Sequence, residues 1–100
     1  MIRESKVLSY KDWELLNGNE LFICMLKNKV KVEPNDKATS EHLIDDIIEY
    51  LDKTVENLVY YDIENVYGYR RMEIFFEGVI DKENFISFYN TSAGLYHIKK

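Results

Sequence analysis

The chain has 100 residues, of which 46% are hydrophobic and 31% charged, and its formal net charge is −5. These values indicate one soluble globular domain over residues 1–100 and exclude a membrane-spanning helix, because no apolar run approaches about 18 residues. The lone cysteine, Cys24, excludes an intramolecular disulfide and a cysteine-based zinc site, and it is expected to be a small buried hydrophobe. With no apolar signal segment behind Met1, we expect a cytoplasmic protein.

The first element is a short helix. Ser9 and Asp12 have the spacing of a capping box, and Asn17-Gly18 is a stop signal, so the helix is expected over residues 10–16. The continuous apolar run at residues 20–26 is typical of a buried strand. The chain is therefore expected to pass from a helix directly into a sheet.

A second strand is predicted by Val30 and Val32, which alternate with charged residues after a tight turn at residues 27–29. If the strand instead runs straight through, Lys27, Lys29 and Lys31 share one face as a small basic stripe. Pairing of these lysines with neighbouring strand carboxylates is the preferred interpretation over contact with phosphates.

Residues 40–59 predict a long amphipathic helix. Thr39 or Ser40 is expected to cap it, after a turn at residues 34–36. Its apolar positions repeat with the period of a helix face, and they are Leu43, Ile44, Ile47, Ile48, Leu51, Val55, Leu58 and Val59.

The opposite side of this helix is acidic. Its carboxylates are Asp45, Asp46, Glu49, Asp52 and Glu56. The segment from residue 41 to residue 64 contains eight acids and one base, Lys53, and so carries −7. Like charges at this spacing do not stabilise an isolated helix, so the acidic side is left either to solvent or to a basic partner.

Residues 60–69 are rich in tyrosine and could be strand or loop. Tyr60, Tyr61, Tyr67 and Tyr69 fall within ten residues, and the adjoining Arg70 and Arg71 could stack on the rings or pair with the acidic helix. Tyrosine is common both in interfaces and at the margins of cores, so the cluster is read equally as a binding surface and as packing.

The last third of the chain is expected to be mainly strand. Residues 72–80 fit a helix or a strand, and the strand is preferred because of Gly78 and the Phe and Ile content. Residues 85–89 would complete a hairpin, and residues 95–98 would form a short edge strand. The expected fold is α+β, an antiparallel sheet of four to five strands with one long amphipathic helix across one face and a short N-terminal helix.

Catalytic and metal-binding patterns are weak. The four glycines are far apart and form no phosphate-binding loop, and no cysteine and histidine spacing matches a zinc site. The best metal candidate is His42, Asp46 and Glu49, whose spacing places them on one side of a helix, and helix surfaces often carry such sets by composition alone. His97 is expected to be an exposed strand residue. We expect a protein that is not an enzyme and binds no cofactor.

The charge and the tyrosines together suggest a small acidic inhibitor that occludes a basic, nucleic-acid-handling protein. Immunity proteins against nuclease toxins, antitoxins and phage anti-defence proteins share this size and charge. Direct binding to nucleic acid or membrane is not expected. The alternative is a self-associating module, a homodimer formed through residues 60–69 and an edge strand. The expected partner-binding residues are Asp45, Asp46, Glu49, Asp52, Glu56, Tyr60, Tyr61, Asp62, Glu64, Tyr67 and Tyr69.

Overall fold

The computed structural model describes residues 7–34 and 37–98, with side chains described for residues 7–34 and 42–91. Its elements, in chain order, are α1 (Tyr10–Leu15), α2 (Glu20–Lys27), β1 (Lys29–Val32), α3 (Lys37–Thr54), β2 (Val59–Val66), β3 (Tyr69–Phe76) and α4 (Val79–Ile98). Residues 1–6, where no signal segment is expected, and the centre of the turn at residues 34–36 lie outside the described residues. The expected α+β class is confirmed.

The sheet is smaller than expected. Within the described ranges it has three strands in the order β1-β3-β2, and both pairings are antiparallel. The expectation of four to five strands is wrong, because residues 20–26 form α2 and residues 85–89 and 95–98 lie in α4. The expectation of one helix before the sheet is also wrong, since α1 and α2 both precede β1.

The segment that forms α2 has helix-terminal signals on both sides of its apolar run. The side chain of Asn19 accepts a hydrogen bond from the Leu21 amide at 2.8 Å, Glu20 lies in the first turn and Lys27 in the last. Met25 is fully buried, whereas Ile23 is about half exposed. The continuous apolar run therefore reflects a helix with some apolar side chains in solvent, rather than a strand buried on two faces.

In α4 the aromatic spacing is that of a helix. Phe85, Phe88 and Tyr89 stand at i, i+3 and i+4, so they share one face, and Phe85 is fully buried against Phe76. The expected hairpin is wrong because these aromatic residues follow the period of a helix and not the period of two that a strand requires. His97 has a helical backbone, and its side chain lies outside the described set.

One face of the sheet, called here the inner face, is covered by α3 and α4, so the expectation of one long helix across this face is wrong. It presents Met72, Ile74 and Phe76, which pack with the buried side of α3, including Leu43, Ile44, Ile47 and Leu51. The apolar stripe predicted for this helix is confirmed from Leu43 to Leu51, and the helix begins at Lys37. The helix ends at Thr54, so the predicted stripe residues Val55, Leu58 and Val59 lie beyond it. Thr39 and Ser40 accordingly lie inside its first turn rather than before it, and Val59 begins β2.

The other face, called here the outer face, is covered only at one end. There Met25, Tyr60 and Phe75 form a second apolar cluster against Trp13, Leu21 and neighbouring side chains of α1 and α2. The predicted N-cap of α1 is confirmed, because the Asp12 amide donates to the Ser9 hydroxyl oxygen at 3.1 Å and fixes the start of the helix.

The strands β2 and β3 form a tight hairpin. Tyr67 and Gly68 have φ values of 55° and 84°, which is the backbone of a two-residue turn whose twist matches that of the strands. The strand preferred for residues 72–80 extends only to Phe76, because Val79 and Ile80 already belong to α4.

A buried carboxylate fastens the start of α4 to the loop before β2. Asp81 is 7% exposed and accepts hydrogen bonds from the amides of Glu56 at 3.3 Å and Asn57 at 3.0 Å. Glu77 adds a bond from the Leu58 amide at 3.1 Å. These bonds fix the path by which the chain leaves α3 and enters β2.

Candidate protein-binding surface

The exposed side of α3 carries the acidic stripe. Asp45, Asp46, Glu49 and Asp52 are exposed, and Glu56 is exposed in the loop that follows. The ammonium of Lys53 lies 2.7 Å from Glu49 Oε2 and lowers the pKa of that carboxyl by hydrogen bonding and charge. The helix therefore presents a solvated row of carboxylates over its whole middle section.

Arg70 joins this helix to the sheet. Its guanidinium Nη1 lies 3.1 Å from Asp45 Oδ1, which realises the expected pairing of an arginine with the acidic helix. Arg71 points to the other side of β3 and pairs instead with Glu64 of the neighbouring strand. The two arginines thus anchor one carboxylate on each side of the sheet.

The tyrosines do not form one cluster. Tyr60 is 6% exposed and stacks on Trp13 with ring centroids 4.9 Å apart, so it has little area to offer a partner. Burial, and then the charge of Asp62, raises the pKa of Tyr60. Tyr69 donates a hydrogen bond from its hydroxyl to the Pro34 carbonyl oxygen. Both side chains are held by contacts within the protein.

Tyr61 lies beside the acidic stripe. It is half-buried on the inner face of β2, and burial followed by the charge of Asp52 raises its pKa. Tyr67 stands alone at the tip of the hairpin, where its side chain is 95% exposed. The predicted combination of carboxylates with an aromatic side chain is therefore found at Tyr61, while Tyr67 projects from one end of the same edge.

Asp62 and Glu64 lie on the outer face, away from α3. There they border an open groove of about 400 Å³, whose other polar lining residues are Lys31, Glu33, Arg71 and Glu73. Sequence reasoning did not single out Glu33 and Glu73, although the alternation of β3 about the buried Met72 and Ile74 could have assigned Glu73 to this face. The groove is predominantly acidic.

The expected surface is therefore divided by the edge of the sheet. On the inner side of the sheet, Asp45 pairs with Arg70 and the charge of Asp52 acts on Tyr61. Asp46 and Glu49 line a groove between α3 and Phe88 of α4, and Asp62 and Glu64 lie on the outer face. On α3 and the loop that follows it, five predicted carboxylates face two contacting cations, Lys53 and Arg70, so negative charge predominates there. On the outer face the acids Glu33, Asp62, Glu64 and Glu73 exceed the cations Lys29, Lys31 and Arg71 by one. β2 and its flanks form the candidate protein-binding surface.

The other candidate chemistry does not assemble. In the described part of the chain, no three His, Cys, Asp or Glu side chains are grouped so as to hold a metal ion, and this applies to His42, Asp46 and Glu49. Cys24 is half-buried, with its Sγ 3.6 Å from the Glu77 carbonyl oxygen.

The lysine stripe is broken, because Lys27 ends α2 while Lys29 and Lys31 lie on β1. Lys29 Nζ is 3.8 Å from Glu73 Oε2, as expected for pairing with a strand carboxylate.

The chain matches no protein-family model, and neither curated proteins nor solved structures show a significant similarity to it. Over the described residues, no helix has the length and apolar character needed to cross a membrane.

Proposed function

We propose that the protein is a small acidic inhibitor that binds a basic, nucleic-acid-handling protein and covers its positively charged surface. The observation that carries this proposal is the exposed row of carboxylates on α3, which outnumber the two cations that contact them. A surface of this kind attracts a cationic protein surface and repels nucleic-acid phosphates. Toxin immunity, antitoxin action and phage anti-defence are the settings that this activity fits.

Each part of the surface would have its own role in such binding. The exposed carboxylates of α3 are separated by one or two helical turns, so they can meet several cations of a partner without rearrangement of the backbone. Tyr67, which is 95% exposed, supplies an aromatic side chain of the type that often anchors interfaces. The single free cysteine, Cys24, fits action in the cytoplasm.

The test begins with a pull-down of the tagged protein from its native host or that host's neighbours, with elution by a salt gradient. A basic nuclease or nucleic-acid-binding protein released by rising salt supports the proposal, and its isolated activity should fall when this protein is added. Recovery of no basic protein contradicts it.

Charge variants then test the surface itself. A first variant neutralises Asp45, Glu49, Asp52 and Glu56, and its association with the captured partner should slow by about tenfold at low salt. A matched control neutralises Asp12, Glu14, Glu20 and Glu83, exposed acids of α1, α2 and α4, and takes the net charge from −5 to −1 in the same way. Equal association rates for the two variants would show that location does not matter and would remove the proposal.

The alternative is a self-associating module without catalytic activity. It is favoured by one observation, that β2 stands at the edge of the sheet. Sedimentation at increasing protein concentration decides between the two, because a protein that stays monomeric does not use this edge on itself.

A further inference from the structure

The outer edge of β2 is an open strand edge. β2 pairs with β3 on one side, and on the other side the described residues supply only a bridge between Val7 and Val59. The Leu8 amide donates to the Val59 carbonyl oxygen at 3.0 Å, and the chain then turns into α1 at Tyr10. Beyond Val59, no described strand lies alongside this edge.

The hairpin determines which backbone groups point outward. Val66 and Tyr69 flank a two-residue turn and so exchange hydrogen bonds with each other, and bonding positions then alternate along the strand. Asp62 and Glu64 therefore bond to β3, whereas the N–H and C=O groups of Tyr61, Ile63 and Asn65 face away from it. The outward position of the Val59 carbonyl agrees with this alternation.

The strand register shows which charged side chains an added strand would meet at the outer edge of β2. One row across the outer face runs Lys31, Glu73, Asp62, so two carboxylates lie directly opposite each other at its β2 end. The next row ends in Glu64, opposite Arg71. Side chains that continue these rows would lie beside Asp62 and Glu64, and a basic side chain is favoured at both places.

On the inner side the same edge is partly apolar. Ile63 is half-buried and packs against the main core, and Tyr61 lies next to Asp52. The residue between the two basic positions of an added strand would face this side. An apolar side chain fits there, so the edge matches an alternation of basic and apolar residues.

We propose that β2 binds its partner by strand addition, taking an extended segment in which basic and apolar side chains alternate. This inference rests on the proposed function and specifies how the acidic surface would hold its target. The backbone of Tyr61, Ile63 and Asn65 supplies the hydrogen bonds, and Asp62 and Glu64 select the basic side chains.

A second copy of the chain is a poorer occupant than a basic segment. Antiparallel pairing of two β2 edges would bring Asp62 and Glu64 of one copy towards those of the other, and like charges across strands are destabilising. A foreign basic strand meets no such repulsion.

The experiment measures amide hydrogen exchange by NMR on the wild-type protein, with a blocked six-residue peptide of alternating lysine and valine as the probe. With the peptide at about ten times its Kd, exchange at Tyr61, Ile63 and Asn65 should slow about tenfold. Exchange at Asp62 and Glu64 should change little, because their amides already bond to β3. This alternating protection along β2 is the expected result.

A matched peptide of alternating lysine and proline has the same charge but cannot pair as a strand. Equal binding of both peptides without protection at Tyr61, Ile63 and Asn65 would overturn strand addition while leaving the acidic surface, and so the proposed function, in place. Absence of binding by either peptide would also overturn strand addition, and the proposed function would then be judged by the pull-down alone. Protection that appears without peptide as protein concentration rises would assign the edge to a second copy and overturn the proposal.

The variant Asp62→Asn/Glu64→Gln keeps the backbone edge and removes the charge selection. It should weaken binding of the lysine and valine peptide about fivefold. Unchanged affinity would show that these carboxylates do not select the segment.

Discussion

The inner and outer faces of the sheet are formed by the same strands but differ in burial and charge. On β3 the inner face presents Met72, Ile74 and Phe76, all at most 2% exposed, whereas the outer face presents Arg71 and Glu73 before it reaches Phe75. Two helices close the inner face, and α1 and α2 close only one end of the outer face. Buried apolar area is therefore concentrated on one side of the sheet, and the charged part of the other side is exposed to solvent.

The largest expected effect is on the inner face. Phe76→Ala should lower the free energy of unfolding by about 3–5 kcal/mol, because Phe76 is fully buried and its ring contacts Phe85. Urea denaturation followed by circular dichroism measures it. The neighbouring Glu73→Gln, on the outer face, should change stability by less than about 1 kcal/mol, and a comparable loss in both variants would contradict the contrast between the faces.

A smaller loss is expected where helices cover the outer face. Trp13→Ala should lower the free energy of unfolding by about 2 kcal/mol. The half-buried Trp13 ring has its centroid within 4.9 Å of the centroids of the Phe22, Tyr60 and Phe75 rings. The control is Tyr10→Ala in the same helix, where a side chain that is 65% exposed should contribute less than about 0.5 kcal/mol. Equal losses would mean that the aromatic cluster does not hold α1 to the sheet.

On the open part of the outer face, a single charge reversal is expected to stabilise the protein. Asp62→Lys replaces a carboxylate opposite Glu73 by a cation and should add about 0.5 kcal/mol. Glu64→Lys changes the net charge equally but places a cation opposite Arg71, so it should destabilise the protein by a similar amount. Thermal unfolding at low and high salt measures both, and shifts of the same sign would show that net charge, not register, governs this face.

The smallest expected effect is a shift in the pH at which two tyrosine side chains ionise. Burial raises the pKa of both Tyr60 and Tyr61, and Asp52 adds to it at Tyr61. The neutral phenols are favoured in the folded state, so their contribution is full below the ordinary pKa of about 10 and is lost as pH rises through the raised values. Ultraviolet titration of phenolate should show late transitions, and Asp52→Asn should move that of Tyr61 earlier. No movement would mean that Asp52 does not act on this ring.

The parts of the fold that sequence predicts well are those with one consistent period. The apolar stripe of α3 keeps the helical period from Leu43 to Leu51, and the N-cap Ser9 has its partner Asp12 within one turn, so local spacing is sufficient for both. Val30 and Val32 predict β1 correctly because one face of that strand is exposed to solvent, so apolar and charged residues alternate along it.

The errors arise where the period is ambiguous or is set by distant contacts. In α2 all of residues 21–26 are apolar, so their pattern does not distinguish a helix from a strand, and the prediction rested on that run without the helix-terminal signals of Asn19 and Lys27. For the candidate surface, composition predicts the acids of α3 but not their separation from Asp62 and Glu64. That separation depends on the register of β2 against β3, which no local pattern contains. The binding role of these residues stays a prediction.

The order of the strands also affects synthesis of the chain. β3 lies between β1 and β2 in the sheet but follows both in sequence, and residues 29–32 must wait for residues 72–75 to gain a partner. On the ribosome, α1, α2 and β1 therefore emerge well before the strand that organises them. Of the two described strand pairings, that of β2 with β3 is local in sequence, so this hairpin is the natural template onto which β1 assembles.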